Sequence, residues 1–143
     1  MSKATNNEIL KILDEVFQEE MGGMIRYLHY SFMIVGPNRI PIQKWFRDQA
    51  NESMGHAILI GEKITSYGGH PTLKAAEVPE THSHLLDKIL EECVSFETRG
   101  LDLYKKIVEK AGNDIALEEL ARQLVREETE HLDELEKMMR KSK

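Results

Sequence analysis

Apolar residues recur with a helical period along almost the whole chain, and the pattern breaks at three places, each a cluster of Gly, Pro or Asn. Four long helices follow. The first begins at Thr5, whose hydroxyl forms a capping box with Glu8 three residues later, and runs to about Met33. Gly36, Pro37, Asn38 and Pro41 turn the chain, with Pro41 suited to the first turn of a second helix that ends at Tyr67, before Gly68 and Gly69. The next connection, from Gly68 to about Glu80, holds Pro71 and Pro79; at roughly a dozen residues it can cross the length of a bundle and leave helices two and three parallel. A third helix is expected from Thr81 to Ala111, and a fourth from an N-cap at Asp114 to Arg140 after a tight turn at Gly112 and Asn113. Each helix exceeds about 25 residues and so approaches ~40 Å. The expectation is an all-α bundle of four helices with one long crossover, residues 1–143 forming a single domain.

On a helical wheel, what interrupts the apolar stripes is more informative than the stripes themselves. Helix one lines up Ile9, Leu13, Val16, Phe17, Met24, Tyr27 and Ile34, with Glu20 near the centre of that face. Helix three places Glu97 among Leu86, Leu90, Val94, Leu101, Tyr104 and Val108. On helix four, Leu117, Ala121, Leu124, Val125, Leu132, Leu135 and Met139 surround Glu128, with His131 on the flank. Three carboxylates thus point inward, with no Lys or Arg beside them. Converging buried carboxylates need protons, cationic partners or a metal, and a metal serves all three at once. Glu128 and His131, three residues apart, share one helical face and can hold the same ion. Relief of their mutual repulsion predicts that Glu128→Gln raises stability without metal.

An internal repeat strengthens this pattern: Glu20 precedes Tyr27 by seven residues, and Glu97 precedes Tyr104 by seven. Each tyrosine is either a hydrogen-bond donor to the carboxylate two turns away on its own face or a core residue with a buried hydroxyl. On helix two the inner face carries Ile42, Phe46, Ala50, Ala57, Ile60 and Ile64 with Ser53 at its centre and His56 one turn on. Glu52 lies about 100° round and is expected at the rim. His29, His70, His82, His84 and Cys93 read as structural or solvated.

Composition narrows the classes. Lys and Arg total 19 against 25 Asp and Glu, a formal charge of -6 that argues against general affinity for nucleic-acid phosphate. The basic cluster from Lys137 to Lys143 suits the C-terminal end of a helix dipole. One cysteine permits no internal disulfide, Met1 to Glu8 lacks a signal-peptide stretch, and no apolar run is long enough for a membrane span. A cytoplasmic protein without membrane or nucleic-acid partners is expected.

From Glu20–Met21–Gly22–Gly23–Met24–Ile25–Arg26–Tyr27 to Glu128–Thr129–Glu130–His131, the sequence resembles the ferritin-like superfamily, and the bacterioferritins most. The resemblance implies two irons held by one Glu from each of helices one and three and by Glu-x-x-His from helices two and four. Glu20, Glu97, Glu128, His131 and His56 would then be ligands, Glu20, Glu97 and Glu128 also serving catalysis, with Tyr27 and Tyr104 behind them. The departure is Ser53, where the pattern requires Glu. Met54 stands where the resemblance implies a haem ligand shared across a two-fold dimer, packing in a dimer interface being the alternative. Gly22 and Gly55, on outward faces, suit close approach of a helix or a flat ring. Neither a fifth helix of the cage-lining kind nor a lysine-rich N-terminal arm is expected from this sequence.

These features imply a ferroxidase-type protein that binds one or two irons per subunit, oxidises Fe(II) with dioxygen or peroxide, stores iron and assembles as a dimer or cage. A peroxide-reducing di-iron enzyme and a degenerate bundle acting in assembly, with one metal or none, are the alternatives. Ser53 predicts weak binding of a second ion and slow oxidation.

Overall fold

The computed structural model describes residues 3–140, with side chains from Asn6 onward. Among them the chain forms four α-helices and no strand: α1 (Lys3–Met33), α2 (Arg39–Ser66), α3 (Leu86–Lys110) and α4 (Ile115–Met139). The helix starts two residues before Thr5, and the capping box at Thr5 depends on a side chain outside the described residues. The tail Lys141 to Lys143 is also outside them.

The breaks fall where local chemistry requires. Gly36 turns the chain between α1 and α2 with φ of 97°, and Pro41 sits in the first turn of α2. At the far end of α2, the Gly69 amide donates to the Ile64 carbonyl at 2.9 Å and the Gly68 amide to Thr65 at 3.0 Å. With Gly68 at φ of 80°, this is a Schellman closure, which needs a residue free to enter the left-handed region. Gly112, at φ of 60°, serves the α3–α4 turn, and the Asp114 carboxylate then accepts from the Leu117 amide at 3.0 Å, the N-cap that the sequence predicts.

The connection over residues 67–85 is longer than the sequence suggests, because α3 starts at Leu86 rather than Thr81. The Glu80 carboxylate accepts from the His82 amide at 2.8 Å while His82 adopts φ of 55°, which is incompatible with helix propagation. This segment lies along α1: the Ala76 amide donates to Gln18 O, Arg26 Nη2 to Glu77 O, and His84 Nδ1 to Met33 O. It therefore travels in the direction of α1 and delivers α3 to the end where α1 finished and α2 began. Gly22 is not outward-facing, as the sequence suggested, but lies beneath the strap: an added Cβ would sit 3.1 Å from Ala76 O.

Two apolar clusters fill the interior. One joins Ile9, Leu13, Val16, Ile60, Ile64, Ile107, Leu117 and Leu124; the other joins Ile34, Phe46, Ile89, Leu90, Cys93, Phe96 and Leu135. On α3 the buried stripe is shifted one position, so that Ile89, Cys93, Phe96 and Ile107 are inside while Leu86, Val94 and Val108 are partly covered. Burying each large aliphatic side chain contributes about 1.5–3 kcal/mol, which offsets the cost of the polar layer held between the two clusters. No helix among the described residues is long and apolar enough to cross a membrane.

Candidate metal centre

Every helix contributes to the polar layer: Glu20 from α1, Ser53 and His56 from α2, Glu97 from α3, and Glu128 and His131 from α4. All but His131 are less than a tenth exposed. His56 Nδ1 lies 3.4 Å from Glu20 Oε1 and 3.3 Å from Glu128 Oε1. His131 Nδ1 lies 3.7 Å from Glu97 Oε2 and 3.6 Å from Glu128 Oε2. The two oxygens of Glu128 thus face different imidazoles. The five residues that sequence reasoning selected as ligands converge, and they form two overlapping donor sets, Glu20–His56–Glu128 and Glu97–Glu128–His131.

The tyrosines bind carboxylates, but not those of their own helices. Tyr27 Oη donates to Glu97 Oε1 at 2.6 Å, and Tyr104 Oη donates to Glu20 Oε1 at 2.7 Å. A seven-residue step climbs about 10 Å along a helix, too far for a phenol to reach back. Because α1 and α3 run antiparallel, seven residues forward on one match seven back on the other, bringing Glu20 level with Tyr104 and Tyr27 level with Glu97.

Outside this ring, two further carboxylates hold the remaining imidazole nitrogens. His56 Nε2 lies 3.0 Å from Glu127 Oε2, and His131 Nε2 lies 2.9 Å from Glu52 Oε2. Each bond joins α2 to α4. Glu52 does start at the rim, as its wheel position requires, yet its half-buried side chain folds inward onto His131; it belongs to neither inner donor set. Sequence reasoning missed Glu127 altogether. The signal was present as a second repeat: Glu52–Ser53–x–x–His56 matches Glu127–Glu128–x–x–His131.

This ring sets the charges. Burial opposes protonation of His56, but Glu128 and Glu20 outweigh it and raise its pKa from 6.5 to about 10. His131 is likewise penalised by burial yet pushed up to about 12 by Glu128, Glu52 and Glu97. Burial and the neighbouring Glu128 charge raise the Glu97 carboxyl to about 8, so this pair tends to hold a shared proton. Burial and Glu97 also push up the Tyr27 phenol, and burial and Glu20 that of Tyr104, which keeps both as donors.

Both inner nitrogens, His56 Nδ1 and His131 Nδ1, are buried without a well-formed hydrogen bond, although carboxylate oxygens stand 3.3–3.4 Å from the first and 3.6–3.7 Å from the second. With each Nε2–H held by an outer carboxylate, each Nδ1, once it gives up its proton, can share a cation with the two carboxylates it faces. That donor set fits a divalent transition metal. The other singled-out residues lie elsewhere: Cys93 is buried in the apolar core, and His29 pairs with Glu80 at 3.2 Å. Met54 is exposed on the outer face of α2, as is Gly55. Arg26, although charged, is buried beneath the strap with its guanidinium 4.3 Å above the Phe96 ring.

The model of the ferritin-like domain matches residues 10–143. The chain belongs to the ferritin-like family. A crystal structure of a ferritin-like, diiron-carboxylate protein from Bacillus anthracis is similar to this ferritin-like chain at 26% identity and a TM-score of 0.91, over 98% of this chain and 100% of that one. The bacterioferritin of Rhodobacter capsulatus is 22% identical with a TM-score of 0.82, over 93% of this chain and 84% of that one. The DPS protein of Vibrio cholerae O1 is 15% identical with a TM-score of 0.90, over 98% and 94%. A search of curated proteins found no match.

Proposed function

We propose that this ferritin-like chain, with residues 1–143 acting as one bundle domain, takes up Fe(II) at the centre of the bundle and oxidises it. The observation that carries this reading is the pair of buried, unpartnered Nδ1 atoms, each facing Glu128 and one further carboxylate. Glu20, His56 and Glu128 would hold one ion, and Glu97, His131 and Glu128 the other. Iron supplies the electrons; the protein supplies a dry, rigid donor set. Tyr27 and Tyr104 orient the terminal carboxylates Glu97 and Glu20, while Glu127 and Glu52 fix the tautomers of His56 and His131. The similar Bacillus anthracis protein is itself described as diiron-carboxylate, which supports the reading. Anaerobic Fe(II) titration should show saturable binding at one tight and one weaker site per subunit, followed by oxidation on admitting dioxygen. Absence of saturable binding, with oxidation at the rate of buffer alone, refutes it.

A homo-oligomer built through the α1/α2 face is supported by Ile25, Leu28, Phe32, Ile40 and Ile58, each 45–70% exposed. The same face carries Met54 beside an apolar groove of about 350 Å³ bordered by Phe17, Met21, Gly61 and Pro71. Its thioether is free to ligate a haem shared by two copies. Reconstitution with haem should give a Soret band with thioether ligation that Met54→Leu abolishes; a spectrum unchanged by that substitution removes Met54 from the site.

A further inference from the structure

A cavity of about 430 Å³ lies between the crossover strap and the α1/α3 side of the bundle, within the size range of small-molecule sites. None of the proposed metal ligands borders it. Ala76 and Pro79 of the strap, together with Tyr30 and Phe96, give it apolar walls, and Arg26, Glu19 and Arg99 supply charge.

Arg26 is the unusual member of this lining. A guanidinium is seldom buried unless it is fully paired, yet Arg26 is only 3% exposed. Its Nη2 donates to Glu77 O at 3.2 Å and its guanidinium carbon lies 4.3 Å above the Phe96 ring, which together hold the group in place. Nη1 is buried with no hydrogen-bond partner at all. Burial lowers the Arg26 pKa below its ordinary value; Glu19 opposes that shift and Arg99 adds to it.

The charges around Arg26 are short of one acceptor. Glu19 stands 3.8 Å from Arg26 Nη1 and 3.8 Å from Arg99 Nε, beyond hydrogen-bonding distance from both. Two guanidiniums thus share one carboxylate that bonds neither. The other carboxylates of the lining do not make up the deficit, since Glu92 accepts from Tyr30 Oη at 2.5 Å and Glu77 is an exposed residue of the strap. Glu19 is only partly buried and can turn toward Arg99, which uncovers Nη1. A planar, singly charged carboxylate matches what is then missing: it fits the guanidinium fork and balances two cations with two anions.

We propose that the cavity under the crossover strap binds a small organic carboxylate, its oxygens on Arg26 as Glu19 turns to Arg99, and its apolar body against Ala76 and Pro79. The strap is tied to α1 here by the Ala76 amide, which donates to Gln18 O at 2.9 Å, so an occupant also holds the strap down.

Calorimetric titration of the full chain with benzoate tests this, with benzyl alcohol as the uncharged counterpart and inorganic phosphate as a second oxyanion. Benzoate should bind saturably and about tenfold or more tighter than either, the scale of a hydrogen bond to a charged group. Arg26→Lys keeps the charge but loses the planar fork and should weaken benzoate binding by about tenfold. Glu19→Gln, at a partly exposed position that does not anchor the strap, removes the competing anion and should tighten it severalfold. Saturating benzoate should slow amide hydrogen exchange at Ala76 and Glu77. Absence of saturable benzoate binding overturns the proposal. Equal affinity for benzyl alcohol shows an apolar cavity that does not read charge, and equal affinity for phosphate shows that the planar carboxylate is not selected; either result overturns it. Weaker binding in Glu19→Gln makes Glu19 a holding group rather than a displaced one and overturns it as well. None of these outcomes depends on the metal centre.

Discussion

Removing metal and raising the pH should destabilise this protein, and the centre fixes both the sign and the size of the effect. His56 and His131 have ordinary pKa values of 6.5 and folded values of about 10 and about 12. A raised folded pKa means that the native state keeps a proton which the unfolded chain releases. Each histidine therefore stabilises fully below about 6.5 and progressively less above it, until its contribution ends near its folded value. Glu97, raised from 4.5 to about 8, acts in the same direction, its contribution declining between those values. A single such proton gives a slope of up to about 1.4 kcal/mol per pH unit. The two histidines share Glu128, so about 2 kcal/mol per unit is a reasonable figure for the pair, or about 4 kcal/mol between pH 6.5 and 8.5. At ~2–4 °C per kcal/mol for a domain of this size, Tm should fall by about 10 °C. Thermal melts of chelator-treated protein at fixed concentration and low salt provide the assay. Metal binding displaces these protons, so stabilisation by Zn(II) or Co(II) should grow over the same interval. A metal-free Tm that is flat or rising from pH 6.5 to 8.5 refutes the charge assignment.

Three further outcomes follow from the same geometry. Glu128→Ala should lower equilibrium Co(II) affinity by more than the ~10–100-fold typical for losing an outer-shell partner, because each donor set loses a member; calorimetric titration reads this, and wild-type affinity would exclude Glu128 as a shared ligand. Glu128→Gln should lower the metal-free Tm near pH 6.5, since it removes a counter-charge from both imidazoliums; a raised Tm would restore carboxylate repulsion as the dominant effect. Asp114→Ala should cost about 1 kcal/mol in denaturant unfolding through loss of the α4 cap. An unchanged midpoint would show that the turn, rather than the cap, defines that helix start.

The four helices and the inward placement of Glu20, Glu97 and Glu128 were legible because both depend on periodicity. Glu20, Glu97 and Glu128 interrupt apolar stripes at positions where an isolated charge is untenable, and a wheel detects this without tertiary information. What required the structure was register between helices. For the tyrosines the sequence offers only a same-helix carboxylate or a core position, because it shows i,i+7 spacing but not the antiparallel match that brings Tyr104 to Glu20. Glu52 was placed at the rim from its Cα direction, and the reach of a flexible side chain to His131 was invisible to that argument. The start of α3 was misplaced for a related reason: the His82 turn is closed by the side chain of Glu80, and nothing in the apolar pattern marks it. Arg26 was not expected inside because its cover, the strap, is a non-periodic segment.

These outer contacts change the argument about Ser53. Counted from the inner ring, Glu20, Glu97 and Glu128 return three negative charges against the four of two ferrous ions, and the missing carboxylate at position 53 looks like a shortage of charge. Glu52 and Glu127, however, stand 2.9 Å and 3.0 Å from the imidazoles and bring the total to five, so two ions leave the assembly close to neutral. Charge is then not the limit on a second ion. On the metal-binding reading the limit is donor atoms: each set offers two carboxylates and one nitrogen, with Glu128 counted in both, and the Ser53 side chain is shorter than the glutamate that would add a fourth carboxylate. A hydroxyl also binds Fe(II) less strongly than a carboxylate, so water would be needed among the ligands of a second ion. Ser53→Glu supplies a further carboxylate donor and adds one negative charge, making six carboxylates against the four positive charges of two ions, and its side chain must occupy the narrow space of about 20 Å³ that Gly23 and Gly100 border. It should therefore tighten the second ion at equilibrium by about tenfold or more, at least the scale seen for a single partner of a metal ligand. Calorimetric Co(II) titration measures this directly. Unchanged affinity would show that donor number is not what limits the second site.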